Sequence, residues 1–70
     1  MSVIKVVELV GTSPTSWEDA AKNAVDEASE TVRDIGGLDV MNQTAIVKDG
    51  VITEFRANVK ISFIVENVRD

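Results

Sequence analysis

The sequence predicts an α+β fold of β-α-β-β order, with a three-stranded antiparallel sheet wrapped around one helix. Three observations carry this. From Val51 to Glu66 apolar and polar residues alternate with period two, as a half-buried strand requires. Trp17, Ala20, Ala21, Ala24, Val25, Ala28, Val32 and Ile35 form one stripe at helical spacing. Asp49-Gly50, between two strand-like runs, is a strong signal for a two-residue type I′ turn.

Taken in order, Val3 to Val10 is rich in β-branched residues and apolar on both parities, which predicts a strand covered on both faces. Gly11 to Ser16 breaks that pattern and supplies helix-start chemistry. Thr15-x-x-Glu18 fits a capping box, Ser16-x-x-Asp19 a weaker one, and Pro14 suits the residues just before the first turn. The stripe predicts a helix running to Ile35, ended by Gly36-Gly37 with the first glycine left-handed. Because the stripe is mostly alanine, the helix backbone can lie close to a sheet.

Leu38 to Val47 is the second strand, and the hairpin pairs Lys48 with Val51. An uninterrupted register then sets Leu38, Val40 and Ile46 opposite Ile61, Val59 and Thr53 on one face. On the other face it sets Asp39 opposite Lys60, Met41 opposite Asn58, Gln43 opposite Arg56 and Ala45 opposite Glu54. That second face is mixed, with Met41, Ala45, Val47, Ile52 and Ile64 among its polar residues, as expected of a surface buried against other subunits.

The last strand is long for its chain. Its run at ~3.3 Å per residue spans roughly 53 Å, whereas a compact domain of this length has a radius of gyration of about 11 Å. A strand that overruns its own domain needs a bend or a second chain to pair with, and both point to an oligomer. Residues 1–70 form a single domain, of a size that usually needs staples or partners. Cysteine is absent, which removes disulfides and thiolate metal sites, and histidine is absent too, which removes the commonest general base and metal ligand. An enzyme is therefore not expected. The net charge of −5, with basic residues scattered singly, argues against nucleic acid and against an anionic membrane. No apolar run approaches a membrane span, so a cytoplasmic location is the expectation.

Val6-Val7-Glu8-Leu9-Val10-Gly11-Thr12-Ser13, a helix opening Ser16-Trp17-Glu18-Asp19-Ala20-Ala21, then Gly50 and a long closing strand, together resemble the dodecins over nearly the whole chain. The resemblance implies a hollow homododecamer with helices outside and sheets lining the cavity, which binds or stores a small ligand. In many dodecins the ligand is a flavin (riboflavin or FMN), stacked in pairs between tryptophans and read by a glutamine amide. Alignment with the family places the tryptophan position at Gly37 and the glutamine position at Arg56, so both the ring and the amide are replaced. The Gly-Thr-Ser-Pro-Thr-Ser-Trp-Glu run looks more like a non-flavin branch associated with calcium, and other members carry phosphorylated ligands such as coenzyme A.

The candidate ligand-binding residues are Gly37, Asn42, Gln43 and Arg56. Gly37 also reads as a helix stop. Arg56 suits a phosphate or carboxylate through its planar fork, or an acidic partner at a subunit boundary. Asn42, Gln43 and Thr44 form a polar patch that could hydrogen-bond a ligand. For a divalent cation, Glu8, Asp39, Glu54 and Glu66 lie on strands and the helix acids on a solvated face. With no EF-hand spacing, a calcium site would have to be assembled from separate segments or subunits, and the sequence does not choose its ligands. A shell with no specific ligand is the alternative.

Overall fold

The computed structural model describes residues 2–66. Strand β1 (Ser2–Ser13) leads to helix α1 (Trp17–Ala28), then to the hairpin of β2 (Ile35–Lys48) and β3 (Val51–Glu66). All pairing is antiparallel, and the sheet order β1-β3-β2 puts the longest strand in the centre. The turn residues Asp49 and Gly50 have φ of 52° and 78°, the left-handed pair that a type I′ turn requires.

β1 runs three residues beyond Val10, because Gly11 lets the helix seat directly on it. A Cβ at Gly11 would lie 1.9 Å from the Ala20 carbonyl oxygen and 3.0 Å from the Ala24 Cβ. Asn23 fastens the same contact by donating from Nδ2 to the Thr12 carbonyl at 2.9 Å. The core is the seam this approach creates: Ala20, Ala21, Ala24 and Ala28 against Ala57, Val59 and Ile61, flanked by Val7, Leu9, Val25 and Ile35.

The helix is capped by Ser16, whose Oγ accepts from the Asp19 N–H at 2.9 Å. The Ser16 N–H bonds Ser13 Oγ at 3.4 Å, so the second expected box supplies the N-cap but does not close reciprocally. Beneath it the buried Ser13 hydroxyl donates to Asp19 Oδ2 at 2.7 Å and accepts from the Thr15 N–H at 3.0 Å. The helix ends at Ala28 rather than Ile35. Tight bonds from the Glu30 and Thr31 N–H groups close its last turn, Asp34 instead of a glycine takes the left-handed φ of 62°, and Ile35 pairs with Phe63 in the sheet. Gly36 and Gly37 are therefore strand residues, and Gly37 is no helix stop.

The uninterrupted hairpin register does not hold. Irregularities between Ile46 and Val47, between Val40 and Asn42, and between Ile35 and Gly37 break it. Leu38, Asp39 and Val40 keep the expected partners Ile61, Lys60 and Val59. Between the first two breaks the strand is offset by one residue: Asn42 faces Asn58, Gln43 faces Ala57, Thr44 faces Arg56, Ala45 faces Phe55 and Ile46 faces Glu54. A one-residue offset exchanges the faces of a strand. Gln43 and Ala45 thus join the helix side, while Asn42, Thr44 and Ile46 take the opposite face.

The molecule measures 59 × 19 × 13 Å with a radius of gyration of 14.8 Å, well above the compact value of about 11 Å. Val3, Ile4, Val6 and Val10 of β1, and Met41, Ile52 and Ile64 of the hairpin, are all about half exposed. Ile4, Val6, Val10, Ile52 and Ile64 share the sheet face turned from α1, while Val3 lies on the other, and exposed apolar surface of that kind marks an interaction face. Among the described residues, no helix is long and apolar enough to cross a membrane.

Candidate functional site

The sheet face turned away from α1 carries the candidate chemistry. Alternation along β3 places Arg56, Asn58, Lys60, Ser62 and Ile64 on it, opposite the buried Ala57, Val59 and Ile61. Residues paired across antiparallel strands share a face. β1 therefore adds Thr12, Val10, Glu8, Val6 and Ile4, and β2 adds Thr44, Asn42, Asp39 and Gly37.

Three rows cross this face from β1 through β3 to β2. The first is Thr12, Arg56 and Thr44. Arg56 donates from Nε to Glu54 Oε2 at 2.7 Å, so the acidic partner expected for it lies two residues away on its own strand. The second row is Val10, Asn58 and Asn42. Asn58 Oδ1 is buried without a hydrogen-bond partner among the described residues. A buried acceptor left in that state is costly, and a donor or cation arriving from outside the chain would relieve it. The third row is Glu8, Lys60 and Asp39, one ammonium between two carboxylates.

Of the four residues singled out from the sequence, the structure brings Asn42 and Arg56 together in adjacent rows. Gln43 stands opposite Ala57 on the helix side and leaves the group, correcting the expected Gln43–Arg56 pair. Gly37 faces Ser62, and a Cβ there would lie 2.5 Å from Ser62 Oγ. Ser62 is six positions along β3 from Arg56, roughly 20 Å at strand spacing. Within one chain, Gly37 and Arg56 therefore cannot touch the same small ligand. Near Gly37 a 160 Å³ recess opens between Ile4, Gly36, Ser62, Phe63 and Ile64, with no ring on its floor but Phe63. Trp17 is no substitute for a stacking ring: its indole N–H donates to the Thr44 carbonyl at 2.8 Å, and it meets Phe55 edge-on with centroids 4.8 Å apart.

Asn58 and Ser62 are not among the candidate site residues that the sequence offers. Alternation places both on the polar face, but only the fold shows that one has a buried, unpartnered oxygen and the other fills the space beside Gly37. Among the described residues, no group of three acidic side chains could hold a metal ion within one chain, and the side chain of Glu66 lies outside those residues. The oxygen donors on this face suit calcium by type but not, in a single copy, by number. Lys22 and Asp26 pair at 3.0 Å on the outward side of α1, where the hydrogen bond to Asp26 and its charge raise the lysine pKa. That pair is solvated and takes no part in the face.

Comparison with known proteins gives one consistent answer. The dodecin family model matches residues 3–66. A calcium dodecin from Mycobacterium tuberculosis is 43% identical over 63 residues, covering 90% of this chain and 89% of that protein. Its crystal structure, described as a calcium-chelating antigen with a calcium-binding site, superposes with a TM-score of 0.80 at 39% identity over 97% of both chains. The dodecin from Streptomyces coelicolor superposes with a TM-score of 0.90 at 32% identity over 94% of both chains. The alternating central strand, the alanine seam, the β1-β3-β2 sheet and these matches agree: this chain belongs to the dodecin family.

Proposed function

We propose that this protein is a homododecameric shell that binds a small ligand or a divalent cation where copies meet, and that calcium suits its site better than a stacked flavin. The observation that carries this reading is the face opposite the helix. It offers oxygen donors, including the unpartnered Asn58 Oδ1, and has no aromatic ring at Gly37. The half-exposed apolar residues around them support burial of that face between copies. Calcium takes six to eight oxygens, so its site would draw on Glu54, Asn58 and neighbouring carboxylates from more than one copy. Similarity to a calcium dodecin supports the same ion.

Flavin sandwiching is disfavoured on chemistry rather than shape. Gly37 supplies no π-face, Trp17 is engaged elsewhere, and the edge-reading amide is replaced by a guanidinium tied to Glu54. Each lost aromatic contact forfeits about 0.5–1.5 kcal/mol.

The deciding experiment is titration of chelator-treated protein with calcium by calorimetry, and with FMN by fluorescence quenching. The reading expects saturable calcium binding and little quenching. Strong FMN quenching without calcium binding would reverse it, and neither signal would leave a shell with no such ligand.

A further inference from the structure

The segment Asn42 to Ile46 of β2 has two registers open to it, and the structure uses the less obvious one. The hairpin register set by Asp49-Gly50 is broken between Ile46 and Val47 and restored at Val40. In the unbroken register, Met41, Gln43 and Ala45 would stand with Asn58, Arg56 and Glu54. In the observed one, Asn42, Thr44 and Ile46 take those places. The offset therefore decides which side chains β2 contributes to the candidate ligand face.

We propose that Trp17 is the positioning residue that fixes this offset, a role that rests on the ligand-face reading above. Its indole makes the only hydrogen bond between α1 and β2 among the described residues. The acceptor is the backbone carbonyl of Thr44, the middle residue of the offset segment, so the bond reads the position of the strand and not the identity of a side chain. β2 is an edge strand, where a carbonyl can be claimed from outside the ladder. The indole also meets Phe55 edge-on, and Phe55 is paired with Ala45, whose side chain is small. A slip to the hairpin register translates the segment by about 3.3 Å, carries the Thr44 carbonyl out of reach, and sets a threonine against Phe55 in place of that alanine. The ring and its N–H thus favour one register together.

Because the chain has no cysteine, engineered pairs can report the register directly. Asn42→Cys with Asn58→Cys closes a disulfide in the observed register, and Met41→Cys with Asn58→Cys closes one in the slipped register. Trp17→Phe keeps a ring against Phe55 and removes the N–H. It should shift the ratio of the two crosslink yields toward the slipped pair by about fivefold or more, the weight of one hydrogen bond. An unchanged ratio overturns the inference, whatever the protein binds. If the ratio shifts while neither calcium nor FMN binds the unaltered protein, the register control stands and the functional reading falls. Should Trp17→Phe fail to assemble, the indole N–H of the unaltered protein decides. It is the only indole in the chain, and the inference requires that it exchange with solvent as slowly as the amides of the surrounding sheet. Exchange at the rate of a free indole would overturn it.

Discussion

Gly11→Ala should be the most damaging single-methyl change in the fold. The added Cβ would stand 1.9 Å from the Ala20 carbonyl oxygen, 2.9 Å from the Ala20 carbonyl carbon and 3.0 Å from the Ala24 Cβ. Two of these are backbone atoms inside a helix, so no rotamer change can relieve the clash. An ordinary carbon–oxygen contact needs over 1 Å more separation, and that displacement must be taken by the whole of α1. The seam of Ala20, Ala21, Ala24 and Ala28 on Ala57, Val59 and Ile61 would open along its length. Overpacking of a tight core costs about 1–3 kcal/mol, and a rigid backbone clash belongs at or above the upper end. At roughly 4–8 °C per kcal/mol for a chain of this size, a cost of about 3 kcal/mol lowers the melting temperature by roughly 12–24 °C. Thermal unfolding at matched protein concentration measures it, with Gly36→Ala as the internal control. Nothing lies within 4 Å of a Cβ at Gly36, so that variant should melt within a few degrees of the parent. Equal melting of the two variants would refute the claim that the helix sits on β1 through Gly11.

Three further outcomes follow from the same geometry. Ile61→Ala removes a side chain with no exposed surface and should destabilise the fold by about 2–5 kcal/mol in denaturant titration; a cost below half a kcal/mol would contradict the core assignment. Ser13→Ala strips a buried hydroxyl from Asp19 and from the Thr15 N–H, and should cost about 1–3 kcal/mol, more than Ser16→Ala at about 1 kcal/mol for a lost helix cap. A reversed order would show that the cap, and not the hydroxyl beneath it, anchors the helix entry. Gly37→Trp places a ring where the proposed flavin reading wants one, and Ser62 Oγ, the atom in its way, is the end of a side chain that can rotate. FMN affinity should rise by about fivefold or more; no gain would show that the missing ring is not what disfavours flavin.

The sequence was readable wherever one local rule governed the outcome. The bounds of β3 follow from an alternation that only Ile52 and Ile64 interrupt, and the turn follows from Asp-Gly, since both properties belong to contiguous residues. The helix start was equally local, although Ser16 and not Thr15 supplies the cap. The helix end was not: Val32 and Ile35 continue the helical stripe, but Ile35 gains a sheet partner in Phe63 that no local pattern announces. The register was the largest departure. An offset bounded by two irregularities leaves no composition signal, and its proposed cause lies in Trp17, 27 positions before the carbonyl it binds. For that reason the unbroken register sets Gln43 beside Arg56, and Asn42 on the helix side, and the structure exchanges the two.

The long strand, the half-exposed apolar face and the orphaned Asn58 oxygen share one explanation if copies of the chain close over that face. Native mass spectrometry of chelator-treated protein, before and after calcium is added, tests this most directly. The expected result is twelve copies of the 7.6 kDa chain, a species of about 91 kDa that gains the mass of bound calcium. A stable monomer would contradict it, because the apolar face would then stand open to water with nothing to cover it.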